Sequence, residues 1–131
     1  MLFRSVFVER IVPASVLKPL SEQAMAEYRR PYLEEGESRR PTLTWPREIP
    51  FDGEPADVDQ IVRANEKWLA DPELPKLFID AEPGFLLTGR QREIVRSWPN
   101  VSEVTVAGIH FIQEDSGPEI GQAIADWMRS L

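Results

Sequence analysis

The chain has a single histidine, His110, and this residue is the best candidate for catalysis. His110 follows a predicted strand, behind the small pair Ala107 and Gly108, and precedes the last predicted helix. Open α/β sheets carry their ligand-binding groups in loops at the carboxyl ends of the strands. An imidazole is also the ordinary side chain that changes charge near neutral pH. The sequence therefore favours either a general base or a structural histidine that is bonded to a backbone carbonyl.

Four acidic residues could lie close to His110 in the fold and assist such a base. Asp80 and Glu82 leave the carboxyl end of the neighbouring predicted strand, where a carboxylate could orient the imidazole of His110. Both can equally be ordinary loop and turn residues. Glu114 and Asp115 are expected to place negative charge at the start of the final helix.

The sequence contains no motif that would supply a nucleophile for this base to activate. The chain has no cysteine, and neither a Gly-x-Ser-x-Gly nor a Gly-x-Asp-x-Gly elbow occurs. Its serines are predicted at caps, loops and helix ends. The seven glycines are scattered and form no phosphate-binding loop. A base is thus indicated without a group for it to activate.

Composition excludes several further classes of protein. The chain has 131 residues and a net charge of −7, without a basic run, which argues against nucleic acid or an anionic membrane as a partner. The lack of cysteine excludes a disulfide framework and a zinc ribbon. No apolar stretch approaches ~18 residues, and Glu9 and Arg10 interrupt the early apolar run, which argues against a secretory signal. We expect a cytoplasmic protein, with the periplasm as the open alternative.

The second part of the chain has clear periodicity. Apolar residues at helical spacing predict a helix from Pro55 to about residue 70, and Trp68, Trp98 and Trp127 are expected in the core. Strands are predicted at 76–79 and 101–107. A capping box at Thr88 and Gln91 begins one helix, and Pro118 begins the last. This strand–helix–strand–helix order predicts parallel pairing.

The first part is broken by proline, since seven of the twelve prolines lie in the first 55 residues. We predict a helix over 2–11 that ends ahead of Pro13, and a second helix that is capped by Ser21 and stopped by Pro31. Residues 32–54 show no period and are expected to wrap another surface or to line a site.

Two strands are too few for a parallel sheet, which is normally buried on both faces and has several strands. We therefore expect that an amino-terminal portion of the fold is missing from this chain. The alternative is that a strand of the first part, for example 41–45, is not recognisable in the sequence.

Several segments together resemble the carboxyl half of haloalkane dehalogenases, most closely the hexachlorocyclohexane-degrading (LinB-like) subfamily. The similarity runs from about Val6 to Leu131, and the last of the segments is the most specific. The segments are Pro-Leu-Ser-Glu (19–22), Arg-Arg-Pro-Thr-Leu-Thr-Trp-Pro-Arg (39–47), Ile-Pro-Phe-Asp-Gly-Glu-Pro-Ala-Asp-Val (49–58), Pro-Lys-Leu-Phe-Ile-Asp-Ala-Glu-Pro-Gly (75–84) and Val-Ala-Gly-Ile-His-Phe-Ile-Gln-Glu-Asp (106–115).

The resemblance implies part of an α/β-hydrolase fold, with residues 1–54 from the helical cap and residues 55–131 from the end of the core. It implies that an aspartate displaces halide from a haloalkane to form an alkyl-enzyme ester, which a histidine-activated water then hydrolyses, without a cofactor or metal. The substrate of the parent enzyme would be a small halogenated hydrocarbon. The resemblance implies that the nucleophilic aspartate lies upstream of this chain, so we expect the chain alone to be inactive.

By position, His110 matches the water-activating base of the family, and Glu82 is a second-choice orienting acid. Phe85 stands where a small residue is expected and Ser15 where a larger apolar one is expected. Another α/β-hydrolase such as an epoxide hydrolase, or a non-catalytic binding module, is the alternative. The positions that match the substrate pocket and tunnel are Phe7, Ile11, Ser15, Pro46, Ile49, Phe85, Leu86 and Phe111.

Overall fold

A computed structural model describes residues 6–34 and 36–131. The chain forms two compact units, Met1–Ala14 with Leu20–Trp68, and Ser15–Pro19 with Leu69–Leu131. Positions 2–5 of the first predicted helix lie outside the described residues. Within the described ranges, no helix combines the length and apolarity that crossing a membrane requires.

The first unit begins with a π-helical turn, Phe7–Ile11, that leads into α1, Val12–Ala14. The prediction that the helix ends ahead of Pro13 is wrong. The backbone N–H of Val12 donates to the carbonyl of Phe7, five residues back, so the turn is wider than an α-helical one. We attribute the passage of the chain through Pro13 to this wider turn, which gives the proline ring space that an α-helix denies it.

Helix α2, Glu22–Arg29, confirms the prediction made from Ser21. The Ser21 hydroxyl accepts from the backbone N–H of Ala24 at 3.1 Å, which satisfies one of the free donors at the helix start. The helix packs against the π-helical turn and buries Met25.

Arg29 of α2 binds two carboxylates, that of Glu9 in the π-helical turn and that of Glu22 in its own helix. Its guanidinium donates to Glu9 at 2.7 Å and to Glu22 at 2.5 Å. These hydrogen bonds, first that with Glu9 and then that with Glu22, raise the pKa of Arg29. The π-helical turn is thereby held to α2 by the charge of Glu9 as well as by packing.

The segment without a sequence period is helical in short pieces, and the expectation that 32–54 wraps another surface or lines a site stays a prediction. Each piece is too short to show a helical repeat, and Pro41 and Pro46 lie in first turns, where the missing N–H costs nothing. The alternative strand at 41–45 is wrong. The pieces are the 3₁₀ turns Arg30–Tyr32, Glu37–Arg39 and Trp45–Glu48, and α3, Pro41–Thr44.

Helix α4, Ala56–Leu69, has the predicted extent, but its apolar stripe is not buried. Trp68 is 59% exposed and Ile61 is 58% exposed, so the expectation that Trp68 belongs to the core is wrong. The amphipathic pattern specifies a face that packs against something, and the described residues do not cover it.

The second unit is a parallel two-stranded sheet with two helices, as predicted. Strand β1, Lys76–Pro83, pairs with β2, Val101–Gly108, and α5, Arg90–Ser97, connects them. Helix α6, Ile112–Arg129, packs on β2. Strand β1 is four residues longer than predicted because Asp80, Ala81, Glu82 and Pro83 continue the register with β2.

The predicted capping box does not form at the start of α5. Gly89 precedes the helix with φ of 53°, and no side chain caps it. The Thr88 hydroxyl instead lies 3.4 Å from the Phe85 carbonyl. The turn after β1 therefore determines the position of Thr88, rather than the helix.

Helix α6 begins at Ile112, six residues before the predicted start at Pro118. Its first turn ends at Ser116, which has a non-helical φ of −136° and ψ of 36°. The Ser116 hydroxyl donates to the Ala107 carbonyl at 2.7 Å, so a side-chain bond to β2 replaces helical geometry at the kink. Pro118 then lies in the first turn of the longer stretch, where proline is tolerated.

Candidate active site

His110 lies in a tight turn between β2 and α6. The turn is close because Gly108 contacts α6 directly: a Cβ at this position would lie 2.7 Å from Cγ2 of Ile112. Only glycine leaves room for this approach, and it brings His110 to the carboxyl end of the sheet as predicted.

The backbone of His110 is held by a remote segment of the second unit. The N–H groups of His110 and Phe111 both donate to the carbonyl of Ser15 at 3.1 Å. Segment 15–18 is in turn held by Asp115 on α6, whose Oδ1 accepts from the N–H of Leu17 at 2.8 Å. The turn that carries the imidazole is therefore held by segment 15–18, which is distant from it in the sequence.

The imidazole itself contacts aromatic rings. Its centroid lies 4.8 Å from the ring of Phe111 and 6.2 Å from that of Phe85, the latter in an edge-on arrangement. Within residues 6–34 and 36–131, no group hydrogen-bonds to either ring nitrogen of His110. A ring without such a partner has no group that fixes its tautomer.

His110 faces a cavity of about 220 Å³ in the second unit. Apart from His110, the side chains that line it are apolar. The cavity suits a small apolar molecule, with a single side chain able to accept a proton. The lining residues are Ile79, Ala81, Gly84, Phe85, Leu86, Leu87, Ile109, His110 and Ile112.

Asp80 lies inside β1 rather than in a loop, and it is bound to arginines. The residue is 3% exposed, with Oδ1 2.8 Å from Nε of Arg92 and Oδ2 3.4 Å from Nη2 of Arg96. The Arg92 contact lacks the alignment of a hydrogen bond and is an ion pair. Asp80 thus links β1 to α5, and its carboxylate pairs with these arginines rather than with His110.

Glu82 is exposed, with 70% of its side chain accessible, and its Oε2 lies 3.9 Å from Nη1 of Arg92. In the part of the chain that the structure describes, Glu82 and His110 share no hydrogen bond. The orienting role of Glu82 stays a prediction.

The predicted pocket residues divide between the two units. Phe85 and Leu86 line the cavity, Phe111 contacts the imidazole, and Ser15 binds the loop through its carbonyl. The other four, which lie in the first unit, are Phe7, Ile11, Pro46 and Ile49.

Sequence reasoning missed what Asp115 does. The residue lies in the first turn of α6, as predicted, but it is only 7% exposed and its carboxylate binds backbone. Burial of an acid at a helix start leaves no signal in a single sequence. Among the described residues, no cluster of three histidine, cysteine or acidic side chains could hold a metal ion.

The chain is similar in sequence and structure to several known proteins. The chain is 59% identical over 127 residues to a haloalkane dehalogenase of Sphingobium indicum, which covers 97% of the chain and 43% of that protein. It is 52% identical over 127 residues to one of Mycolicibacterium smegmatis, covering 95% of the chain and 40% of that protein. The crystal structure of haloalkane dehalogenase DbeA from Bradyrhizobium elkani matches with a TM-score of 0.87 and 40% identity, covering 96% of the chain and 44% of that one. No protein-family model matches.

The parallel strands, their helices and these structural matches define the chain as part of an α/β-hydrolase fold. Within that class, the chain is a homologue of the haloalkane dehalogenases and corresponds to their carboxyl-terminal portion. It spans about two fifths of the length of these curated relatives.

Proposed function

We propose that the chain contributes the water-activating base, His110, and part of the pocket of a haloalkane dehalogenase of the hexachlorocyclohexane-degrading subfamily. The identity of 59% to the Sphingobium indicum enzyme supports this assignment. On this proposal the chain alone is inactive, because the displacement of halide needs a carboxylate that is encoded outside it.

The observation that carries the proposal is an imidazole at the carboxyl end of β2 that faces an apolar cavity and has no hydrogen-bond partner for its ring among residues 6–34 and 36–131. A working general base needs a group that orients it and a water or substrate to act on. Asp80, the buried acid of the neighbouring strand, is bound to Arg92 and Arg96. The orienting acid is therefore expected outside this chain, with Glu82 as the second choice.

The chemistry has two steps. A carboxylate oxygen attacks the carbon that bears the halogen, the carbon–halogen bond breaks with its electron pair, and halide leaves. His110 then takes a proton from water as the hydroxide attacks the ester carbonyl. The alkoxide leaves and takes the proton of the new carboxylic acid, which gives the alcohol and restores the carboxylate, and the proton held by His110 finally passes to solvent. An apolar cavity favours the first step because it excludes water from the nucleophile.

We further propose that residues 1–54 belong to the cap and residues 55–131 to the core, and that the partner of the chain is an amino-terminal portion of the same fold. Strand β1 pairs only with β2 among the described residues. A groove of about 750 Å³ lies within the second unit, lined mostly by apolar surface that includes Leu77, Val104 and Trp127. An open strand edge beside an apolar groove supports a further layer of structure there.

The test compares the chain alone with a joined protein. The joined protein is this chain fused behind the amino-terminal part of the Sphingobium indicum dehalogenase that precedes the matched region. Halide release from 1-bromobutane and 1,2-dibromoethane is measured for both. We expect turnover only from the joined protein, and Asp57→Asn, an exposed substitution in the first turn of α4, serves as the control that leaves turnover unchanged.

His110→Ala in the joined protein is expected to release about one halide per molecule and then stop, with the butyl ester detected by mass spectrometry. If the chain alone turns over these substrates and His110→Ala abolishes that turnover, the proposal that the chain alone is inactive is refuted. A folded joined protein without halide release, but with hydrolysis of an epoxide, would favour an epoxide hydrolase instead.

A further inference from the structure

We propose that Asp115 is a positioning residue for His110, acting through segment 15–18 rather than by touching the imidazole. The catalytic part of this inference rests on the proposed function of His110, whereas the structural part does not. Asp115 lies five residues beyond His110, on α6.

Segment 15–18 accepts hydrogen bonds from the His110 turn and donates hydrogen bonds to Asp115. The carbonyl of Ser15 accepts from the N–H groups of His110 and Phe111, at 3.1 Å each. The N–H groups of Leu17 and Lys18 donate to Oδ1 of Asp115, at 2.8 and 3.2 Å. The segment therefore lies between the turn that carries the base and the carboxylate on α6.

The carboxylate is well suited to hold this segment. Segment 15–18 belongs to no helix or strand, so its backbone groups need partners from elsewhere. A buried carboxylate makes stronger hydrogen bonds than a neutral acceptor. Oδ2 of Asp115 is buried and has no partner among the described residues, so the carboxylate bonds recorded for Asp115 all go to this segment.

Burial of Val16 also contributes to holding segment 15–18 in place. Val16 is 7% exposed and lies between the residue that binds the His110 turn and those that bind Asp115. Lys18 adds a longer contact, from Nζ to the backbone carbonyl of Asp115 at 3.5 Å. Loss of the carboxylate is expected to free Leu17 and Lys18 first, and then to weaken the hold of Ser15 on the turn.

The first experiment measures amide hydrogen exchange by NMR in the full 131-residue chain. Asp115→Ala is expected to raise exchange of the His110 and Phe111 amides at least about tenfold, while the amides between β1 and β2 keep their protection. Asp115→Asn is expected to lie between Asp115→Ala and the wild type, since an amide oxygen still accepts. The matched control is Asp126→Asn, the same change at an exposed position of α6.

The single histidine gives a second readout in the same samples. Because His110 supplies the only imidazole signals of the chain, their line widths report the order of this ring without assignment ambiguity. Broadened or averaged signals are expected in Asp115→Ala and not in Asp126→Asn. Unchanged exchange at His110 and Phe111 in Asp115→Ala would overturn the proposal, as would a general loss of protection in both Asp115 variants.

The joined protein separates positioning from simple loss of structure. Displacement of halide does not use His110, whereas ester hydrolysis does. Asp115→Ala is therefore expected to keep the initial burst of halide from 1-bromobutane and to slow steady turnover about tenfold or more. A burst that shrinks in proportion to turnover would indicate lost structure and would refute the positioning role. If the wild-type joined protein releases no halide, the proposed function fails, and the exchange measurement still decides whether Asp115 holds the turn.

Discussion

Replacing Gly108 with alanine is expected to destabilise the turn that carries His110. The added Cβ would lie 2.7 Å from Cγ2, 3.1 Å from Cβ and 3.3 Å from Cα of Ile112, where carbon atoms prefer roughly 3.5–4.0 Å. Rotation of the Ile112 side chain can move Cγ2 but neither Cβ nor Cα, and a β-branched residue in a helix has little choice of rotamer. Part of α6 must therefore move.

The magnitude follows from two opposing effects. Overpacking of this kind costs about 2 kcal/mol. Alanine also restricts the unfolded chain more than glycine does, which returns about 0.5 kcal/mol. The net loss of about 1.5 kcal/mol corresponds to a fall in melting temperature of about 6 °C for a domain of this size.

The assay is urea unfolding of the 131-residue chain, followed by tryptophan fluorescence, with a thermal melt beside it. Gly121→Ala is the matched control, because an added Cβ there meets no neighbouring atom within 4 Å and alanine favours a helix interior. We expect the control to gain about 0.5 kcal/mol. Equal or greater stability of Gly108→Ala than of the wild type would refute the close approach of α6 to β2.

Two further substitutions test the charges around α5. Asp80→Ala is expected to lower the free energy of unfolding by about 3 kcal/mol, because it removes the buried carboxylate beside the largely buried Arg92 and leaves only the exposed Glu82 at 3.9 Å. Urea unfolding measures the loss. Asp126→Asn is expected to change the free energy of unfolding by less than about 0.5 kcal/mol, and an equally small effect of both substitutions would contradict the prediction. The hydrogen bond from Arg96 lowers the pKa of Glu103, so this carboxylate stabilises the fold above its unfolded pKa and stops doing so as the pH falls through the lowered value. Thermal melts of the wild type and Glu103→Gln should therefore differ at neutral pH and converge in acid, and a difference that grows in acid would show that the sign is wrong.

The sequence predicted the order of elements in the second unit because each element has enough residues to show its period. The apolar run at 76–79 and the alternation over 101–107 lie within β1 and β2. The extension of β1 to Pro83 was not predictable from one strand alone, because its polar residues Asp80 and Glu82 are paired by register with β2.

The errors occur where tertiary structure overrides a local signal. Pro13 was expected to end a helix, but the wider π-helical turn accommodates it. Thr88 and Gln91 have the spacing of a capping box, yet the turn after β1 places Thr88 elsewhere. Trp68 has the spacing of a core residue and is exposed, since a pattern specifies a face but not its partner.

At the candidate site, the sequence predicted where His110 lies but not which groups bind the buried acids. His110 was predicted from the chemistry of imidazole and from its place after a strand, and the structure puts it at a cavity. The partners of Asp80 and Asp115 could not be predicted, because both acids are bound by groups from other elements of the unit. A single sequence does not record which buried acid meets which donor.

The main-chain carbonyl of Ser15 accepts the hydrogen bonds of the His110 and Phe111 N–H groups. Every residue type has this carbonyl, so these two hydrogen bonds do not depend on the type of side chain at position 15. On the proposed function, substitutions at position 15 can therefore change the width of the tunnel while these two hydrogen bonds to the His110 turn remain. A laboratory library at position 15 should then diversify the range of accepted haloalkanes while it retains ester hydrolysis.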